Sequence, residues 1–402
     1  MNKVIGFLCF SAVLLSQLYG REPYHAKVKV DSESVTVSAP NLVDLKRDLN
    51  TQSLESLIPI YTPTSPVSFK INLRGLIARL SFAANSTNLK VRIPNAGITT
   101  SFDGGTRDQS IALFKEFIKE SSSVPKILKA YAKFSPIDPV AGNPNSLMGQ
   151  MAQSDYLLGK LSPLSGCDSC SSAQPIVHQF QVGAFVARAF CDRYDTTLLT
   201  LPLRYSYSPD YRWAFILDAP ITYHRNGGAS SLLGSLGIGV RVPLSPNWSL
   251  TPILRGGASG SLDLACGGSF VSGGLTSAYD YKIGPVLSLM NYVGYFNSTN
   301  LFLTGVNFNY HLKNVVFKNG LSLTSCKGFS FCDRSFNFKI AAEDTYFAGD
   351  RLFMKHYDEI SVALITTHLN PCLDYDCLSI EMAYQFGQKR YKSYSLNFAY
   401  QF

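Results

Sequence analysis

The last ten residues, SYSLNFAYQF, alternate without a break: Tyr394, Leu396, Phe398, Tyr400 and the terminal Phe402 interleave with Ser395, Asn397, Ala399 and Gln401. Successive side chains of a strand point to opposite faces, so this segment has one aromatic and aliphatic face and one small, polar face. A wall standing between hydrocarbon and water requires that division. Lipid also forces every backbone polar group to be satisfied within the protein, which leaves helices and closed β-barrels as the only spanning structures. No stretch beyond the N-terminus has the apolar length of a spanning helix, about 20 residues.

The alternation recurs from residue 177 to the end, in segments of about ten residues closed by turn signals. In TLLTLPLRYSY, Leu199, Leu201, Leu203, Tyr205 and Tyr207 share a face opposite Thr200, Arg204 and Ser206. In LGSLGIGVRVPL, Leu236, Ile238, Val240, Val242 and Leu244 oppose Gly237, Gly239 and Arg241. FLTGVNFNYH reads the same way, with Phe302, Val306, Phe308 and Tyr310 opposite Gly305, Asn307, Asn309 and His311. Turns are expected at SPDY (208–211), HRNGG (224–228), SPNW (245–248), NSTN (297–300) and GQKR (387–390). The segment FKIAAEDTYFAGDRLFMKHYDEI holds one strand or two. Because single-chain bacterial barrels have even strand numbers, the expected count is 12 or 14.

A soluble sandwich also alternates, but it needs more charge on its wetted faces. Here charged residues make up only 16% of the chain, against 22 Tyr and 26 Phe, whereas soluble domains carry about 25% charge. The net charge of +8 is dispersed, with no block of basic residues interleaved with stacking aromatics, so nucleic acid is not an expected partner.

At the other end, Lys3, the apolar run 4–15 and the small or polar residues up to Gly20 read as a cleaved signal peptide over 1–20. Between them, residues 21–170 form a small α+β domain, periplasmic or plugging the barrel, and 171–402 form the barrel. The domain's signals are an amphipathic stretch over 42–57, the strands VSFKINLRGLIARLSF and TNLKVRIP, and a helix through Lys119 with Asp108 as N-cap. A second helix opens at Pro125 and runs to Phe134, and a third, capped by Asn145 or Ser146, runs through Leu161. The fold class is therefore mainly β, an antiparallel transmembrane barrel with a small N-terminal α+β domain.

Without Cys9, eight cysteines remain, and an even count in an exported chain favours disulfides. Spacing suggests Cys326 with Cys332 and Cys372 with Cys377, leaving Cys191 for Cys266 and Cys167 for Cys170. The Cys167–Cys170 spacing also occurs in redox motifs, but no thioredoxin-like context surrounds it. A zinc site lacks its second ligand pair.

Few residues suggest chemistry. No HExxH pair is present, and neither His224 nor His368 has a local frame for Ser–His catalysis. GGASGS (256–261) lacks the Lys and following helix of a phosphate loop. The cluster Lys355-His356-Tyr357-Asp358-Glu359 reads as structural, since Asp358 and Glu359 face opposite sides of a strand. No cofactor, metal or catalytic residue is expected. The set of interest is Arg204, Asp218, Arg241, Arg255 and His311, each on the polar side of its segment and a candidate to line the lumen. Basic rings favour anions in pores. Alternatively, these arginines pair with acids and brace a filled interior.

On the alternating segments and the aromatic end, the C-terminal half resembles bacterial outer-membrane β-barrels, including the autotransporter-type translocator with 12 strands and an N-terminal segment inside the pore. The ending resembles the closing strand of such barrels, carried here by Tyr394, Leu396, Phe398, Tyr400 and Phe402. The resemblance implies outer-membrane localisation, contact with outer-membrane lipid and recognition of the last strand by the barrel-assembly machinery. It covers the barrel half and no residue-specific motif, and the N-terminal domain lacks the β-helix repeats of usual passengers. The expected function is that of a non-enzymatic outer-membrane protein passing small solutes. The alternatives are a translocator or surface-displayed binding protein exporting residues 21–170, and a membrane-embedded hydrolase.

Overall fold

A computed structural model of the chain describes residues 22–119, 123–159, 178–209, 213–303, 306–325, 328–331, 334–367 and 377–402. The N-terminal part is a six-stranded antiparallel sheet: β1 (Tyr24–Val30), β2 (Glu33–Ala39), β3 (Val67–Leu73), β4 (Leu76–Phe82), β5 (Leu89–Ile93) and β6 (Ile98–Phe102). The strands lie in the order β2-β1-β3-β4-β5-β6. The hairpin of β1 and β2 and the edge strand β6 add three strands to those expected, although YHAKVKV and ESVTVSA do alternate.

The stretch 42–57 forms two short helices, α1 (Leu42–Asp48) and α2 (Thr51–Leu57). Asn41 and Asn50 accept from the Asp44 and Ser53 amides, so each caps one of them. α3 (Arg107–Lys119) begins one residue before the expected cap. The Thr106 hydroxyl, not Asp108, accepts from the Gln109 amide. α4 (Val124–Phe134) follows, with Pro in its first turn, where no donor is needed. One face of the sheet packs Val28, Phe69, Leu80, Val91 and Ile93 against Leu54, Ile58 and Tyr131. Each such aliphatic side chain contributes about 1.5–3 kcal/mol by burial.

The barrel has twelve antiparallel strands. They are β7 (His178–Cys191), β8 (Tyr194–Leu201 and Leu203–Tyr207), β9 (Ala214–Asp218 and Ile221–Asn226), β10 (Ala229–Ser245), β11 (Trp248–Ser261), β12 (Cys266–Lys282), β13 (Val286–Thr299), β14 (Lys313–Thr324), β15 (Arg334–Gly349), β16 (His356–Thr367), β17 (Cys377–Gly387) and β18 (Lys392–Gln401). β8 and β9 are interrupted at Pro202 and Pro220, which have no amide for the ladder. β18 pairs with β17 on one side and with β7 on the other, so the C-terminal strand closes the cylinder. The ambiguous segment from Phe338 contributes to two strands, β15 and β16, which settles the count at twelve.

The faces fall as the alternation requires. Leu199, Leu236, Ile238, Val242, Tyr394 and Phe398 are exposed on the outside, while Thr200, Thr222, Thr251, Ser272, Thr276 and Ser393 are buried within. GGASGS lies in β11 and forms no loop. FLTGVNFNYH is not a barrel strand. Leu301–Leu303 and Val306–Phe308 form a small hairpin of their own between β13 and β14. His311 follows it, exposed and at φ 48°, outside the lumen wall.

Cys191 and Cys266 are free and buried, so the expected bridge between them does not exist. Register places Cys191 opposite Tyr194 and Cys266 opposite Ser261, on well-separated strands. Cys377 is disulfide-bonded, while Cys167, Cys170, Cys326, Cys332 and Cys372 lie outside the described residues, as does the signal segment 1–20.

Candidate functional site

The barrel has two unlike mouths. His178, which opens β7, and Phe402, which ends the chain, meet at one of them, where Phe180 and Phe402 exchange backbone hydrogen bonds of 2.7 and 2.9 Å. The N-terminal domain sits on the other. Tyr24, Ala26, Ala39 and Leu45 form one buried cluster with Ala229, Leu264 and Cys266 of the barrel hairpins, and Pro40 packs on Gly228.

Between α4 and the lumen the chain turns inward through a buried loop, 135–145, that carries its own polar partners. The Asp138 carboxylate accepts from Arg74 of the domain at 3.2 Å and from Tyr310 of the barrel at 3.0 Å, tying the two together. The backbone of the barrel loop 350–355 donates to the Ala132 and Gly142 carbonyls, from Phe353 at 2.8 Å and Met354 at 2.9 Å. Gly142 is at φ +102°, and a Cβ there would strike the Ala132 carbonyl, so only glycine fits.

Ser146 then caps α5 (Leu147–Leu158), which runs inside the cylinder. Its descent can be followed along β12, where Val140 lies against Gly268, Asp155 bonds Ser272 and Gly159 abuts Thr276. On β11 the same path passes Gly257 beside Met151, Arg255 bonded to Asp155 and Ile253 beside Leu158. The helix therefore points from the domain-covered mouth towards the one where β7 begins.

α5 is held by charge. Asp155, with a side chain 0% exposed, accepts from Arg255 Nε at 2.6 Å, Tyr292 at 3.0 Å and Ser272 at 3.2 Å. Arg255 also donates to Asp218 at 2.7 Å, and Arg204 reaches the other Asp218 oxygen at 3.1 Å. Arg204 further donates to the Leu157 carbonyl of the helix, at 3.4 Å. Three of the expected lumen residues, Arg204, Asp218 and Arg255, thus form one network that Arg255 joins to Asp155 of the helix, and Arg241 is buried farther along β10.

Asp155 and a second cluster were invisible to sequence patterns. Lys318 pairs with Glu343 at 2.8 Å, and its ammonium stands 5.0 Å from the Tyr156 ring. Gln385 bonds Glu359 at 2.6 Å, and Tyr391 joins Gln385 to the plug residue Asn145. The wall is also cut to the plug's shape, since a Cβ on Gly257, Gly268 or Gly320 would meet Met151, Val140 or Tyr156.

Other polar groups stand apart from this network. His224 and Ser231 are 3.2 Å apart, and His224 is fully buried. Glu359 faces the lumen and Asp358 the outside, as the strand period requires. Asp358 instead gathers with Asp344 and His356 on the outer face near the covered mouth.

The outward apolar belt, the polar interior and the closed ladder are those of a membrane-spanning β-barrel fold. No family model matches the sequence, and no curated relative matches it. Among solved structures, the chain is similar to the beta domain of the Bordetella autotransporter BrkA, at 11% identity over 56% of this chain and 99% of that one, with a TM-score of 0.45. It is also similar to the translocator domain of the autotransporter NalP from Neisseria meningitidis, at 10% identity over 63% and 97%, TM-score 0.42. LpxR from Salmonella typhimurium matches at 10% identity over 55% and 99%, TM-score 0.37.

Proposed function

We propose that this chain is a self-anchoring display protein: residues 1–20 direct export, the barrel anchors in the outer membrane, and the six-stranded domain is held at the outer mouth by a helix that seals the pore. One observation carries the reading. The polypeptide runs through its own barrel, entering at the mouth formed by the β7–β8, β9–β10 and β11–β12 hairpins and heading for the mouth that holds His178 and Phe402. With an even strand number both barrel ends lie on one side of the membrane. A chain delivered from the periplasm, with its last strand read by the assembly machinery there, leaves those ends on the periplasmic side. The domain then stands outside.

A helix seated in the lumen argues against free passage of solutes. Two of the arginines that would select anions, Arg204 and Arg255, are already neutralised by Asp218 and Asp155, which favours the braced interior over the channel.

The test uses two exposed positions, one beyond each mouth, Asn95 in the domain and Asn247 in the β10–β11 turn. In intact cells, Asn95→Cys is expected to react with a membrane-impermeant maleimide and Asn247→Cys to react only after the envelope is opened. The reverse pattern would put the domain in the periplasm and end the proposal.

A further inference from the structure

The face of the N-terminal sheet that the helices leave open carries an unusual set of side chains. Lys27, Lys70, Arg79 and Arg92 stand directly opposite one another across β1, β3, β4 and β5. Adjacent strands lie about 4.8 Å apart, so this ladder spans roughly 14 Å. In the next row of the same face, Lys29 and Lys90 flank Ser68 and Ser81, and the row ends at Ser101. All six cations are exposed, and among the described residues none makes an ion pair. No Asp or Glu occupies a register position on this face within β1, β3, β4, β5 or β6. These residues line a shallow groove of about 800 Å³.

Like charges directly opposite in a sheet are destabilising, and here they are stacked along four strands with no counter-charge. The fold carries this repulsion uncompensated until an anion covers it. The opposite face of β1 packs Tyr24 and Ala26 onto the barrel hairpins, so the basic face looks away from the barrel and from the lipid around its wall. That orientation removes the membrane's own headgroups as the occupant. The face presents no Phe, Tyr or Trp, and single-stranded nucleic acid is held by stacking its bases on aromatic rings. A straight row of cations bordered by a row of hydroxyls suits a linear chain with regularly spaced anionic groups and free hydroxyls. We infer that this face binds a linear sulfated polysaccharide. The inference names the ligand of the displayed domain and to that extent rests on the display reading.

The test is binding of heparin to the full chain in detergent micelles, with poly-dT and neutral dextran as parallel probes. Heparin is expected to bind in a salt-sensitive manner, and dextran not at all. Replacing two exposed charges, Lys70→Gln with Arg79→Gln, should weaken heparin binding about tenfold. Lys27→Gln with Arg92→Gln should do the same from the two ends of the ladder, guarding against a local folding defect in the first pair. Lys126→Gln, an exposed cation on α4, should leave binding unchanged. Absence of heparin binding, wild-type affinity in both double variants, or tighter binding of poly-dT would each overturn the inference. Binding in micelles does not depend on membrane sidedness, so an inverted Asn95 and Asn247 labelling pattern would refute display while leaving this result readable.

Discussion

Asp155→Asn tests whether the helix in the lumen is locked by its carboxylate. In the folded protein this group compensates half the demand of Arg255, through a 2.6 Å contact, and accepts from Tyr292 and Ser272 as well. Removing one partner of a buried pair costs about 3–5 kcal/mol, mostly because the remaining charge is left uncompensated. Arg255 keeps Asp218 at 2.7 Å, and the asparagine oxygen still accepts one hydrogen bond, which places the loss at the low end, about 3 kcal/mol. Each 1.4 kcal/mol is a factor of ten, so the population in which α5 has left its seat rises about a hundredfold. Hydrogen exchange in micelles reads this directly. Amides of 147–158 should lose protection by about that factor while the amides of β14 to β17 keep theirs. If protection of the helix changes by less than about threefold, the carboxylate is not the lock, and apolar packing of Met151, Tyr156 and Leu158 holds the plug instead.

Four further outcomes follow from the same geometry. Gly320→Val puts a branched side chain where the Tyr156 ring ends and should cost about 1–3 kcal/mol by overpacking, again read as lost helix protection with an intact barrel. Lys129 of α4 pairs with Asp350 of the barrel at 2.6 Å. Burial alone would raise the Asp350 carboxyl, but the hydrogen bond and charge of Lys129 and the Lys313 amide outweigh it and hold the pKa below the ordinary carboxylate value. The contact therefore stabilises above the unfolded carboxyl's pKa and is lost as pH falls through the depressed folded one, so protection of α4 should drop on acidification in wild type and be pH-insensitive in Asp350→Asn. Cys191→Ala and Cys266→Ala should leave the non-reducing gel mobility of the unfolded chain unchanged, because neither thiol is in a bridge; a mobility change would restore the bridge. Replacing 147–158 by a Gly-Ser linker should turn a non-conducting barrel into a conducting one in planar bilayers, and unchanged conductance would show that the lumen is blocked elsewhere.

The barrel was legible because its physics is local. Lipid on one side and water on the other impose a period of two on every strand, and Leu236, Ile238 and Val240 against Gly237, Gly239 and Arg241 display it without any tertiary information. The strand that was misread shows the limit. FLTGVNFNYH has the same period, but a small hairpin folded on itself shows it too, and alternation alone does not say which sheet a strand joins. The site was less legible for a related reason. Arg204, Asp218 and Arg255 could be placed on the wet face, yet the acid that completes them, Asp155, lies on a helix of low amphipathicity, where nearly every side is buried in the lumen. A helix enclosed by a barrel has no solvent face to write a pattern. The basic face was hidden in the opposite way, since Lys27, Lys29, Lys70, Arg79, Lys90 and Arg92 are scattered along 66 residues and only sheet register brings them into rows.

The two expectations for the lumen arginines, an anion-favouring ring or a braced interior, turn out to be one electrostatic arrangement with its counter-charge in or out. Arg204 and Arg255 face a single wall carboxylate, Asp218, and the second carboxylate comes from the helix. With α5 seated, two guanidiniums meet two carboxylates and the network is neutral. With α5 absent, the same stretch of wall carries an uncompensated positive charge in a narrow lumen, where it is costly. The wall thus prefers to hold the one segment of this chain that carries an acid at that depth. The glycines at 257, 268 and 320 add the matching shape, since each leaves room for a particular plug side chain. Charge and shape together make the seated helix the barrel's rest state, and a domain tethered by that helix is held at the far mouth for as long as the pore stays closed.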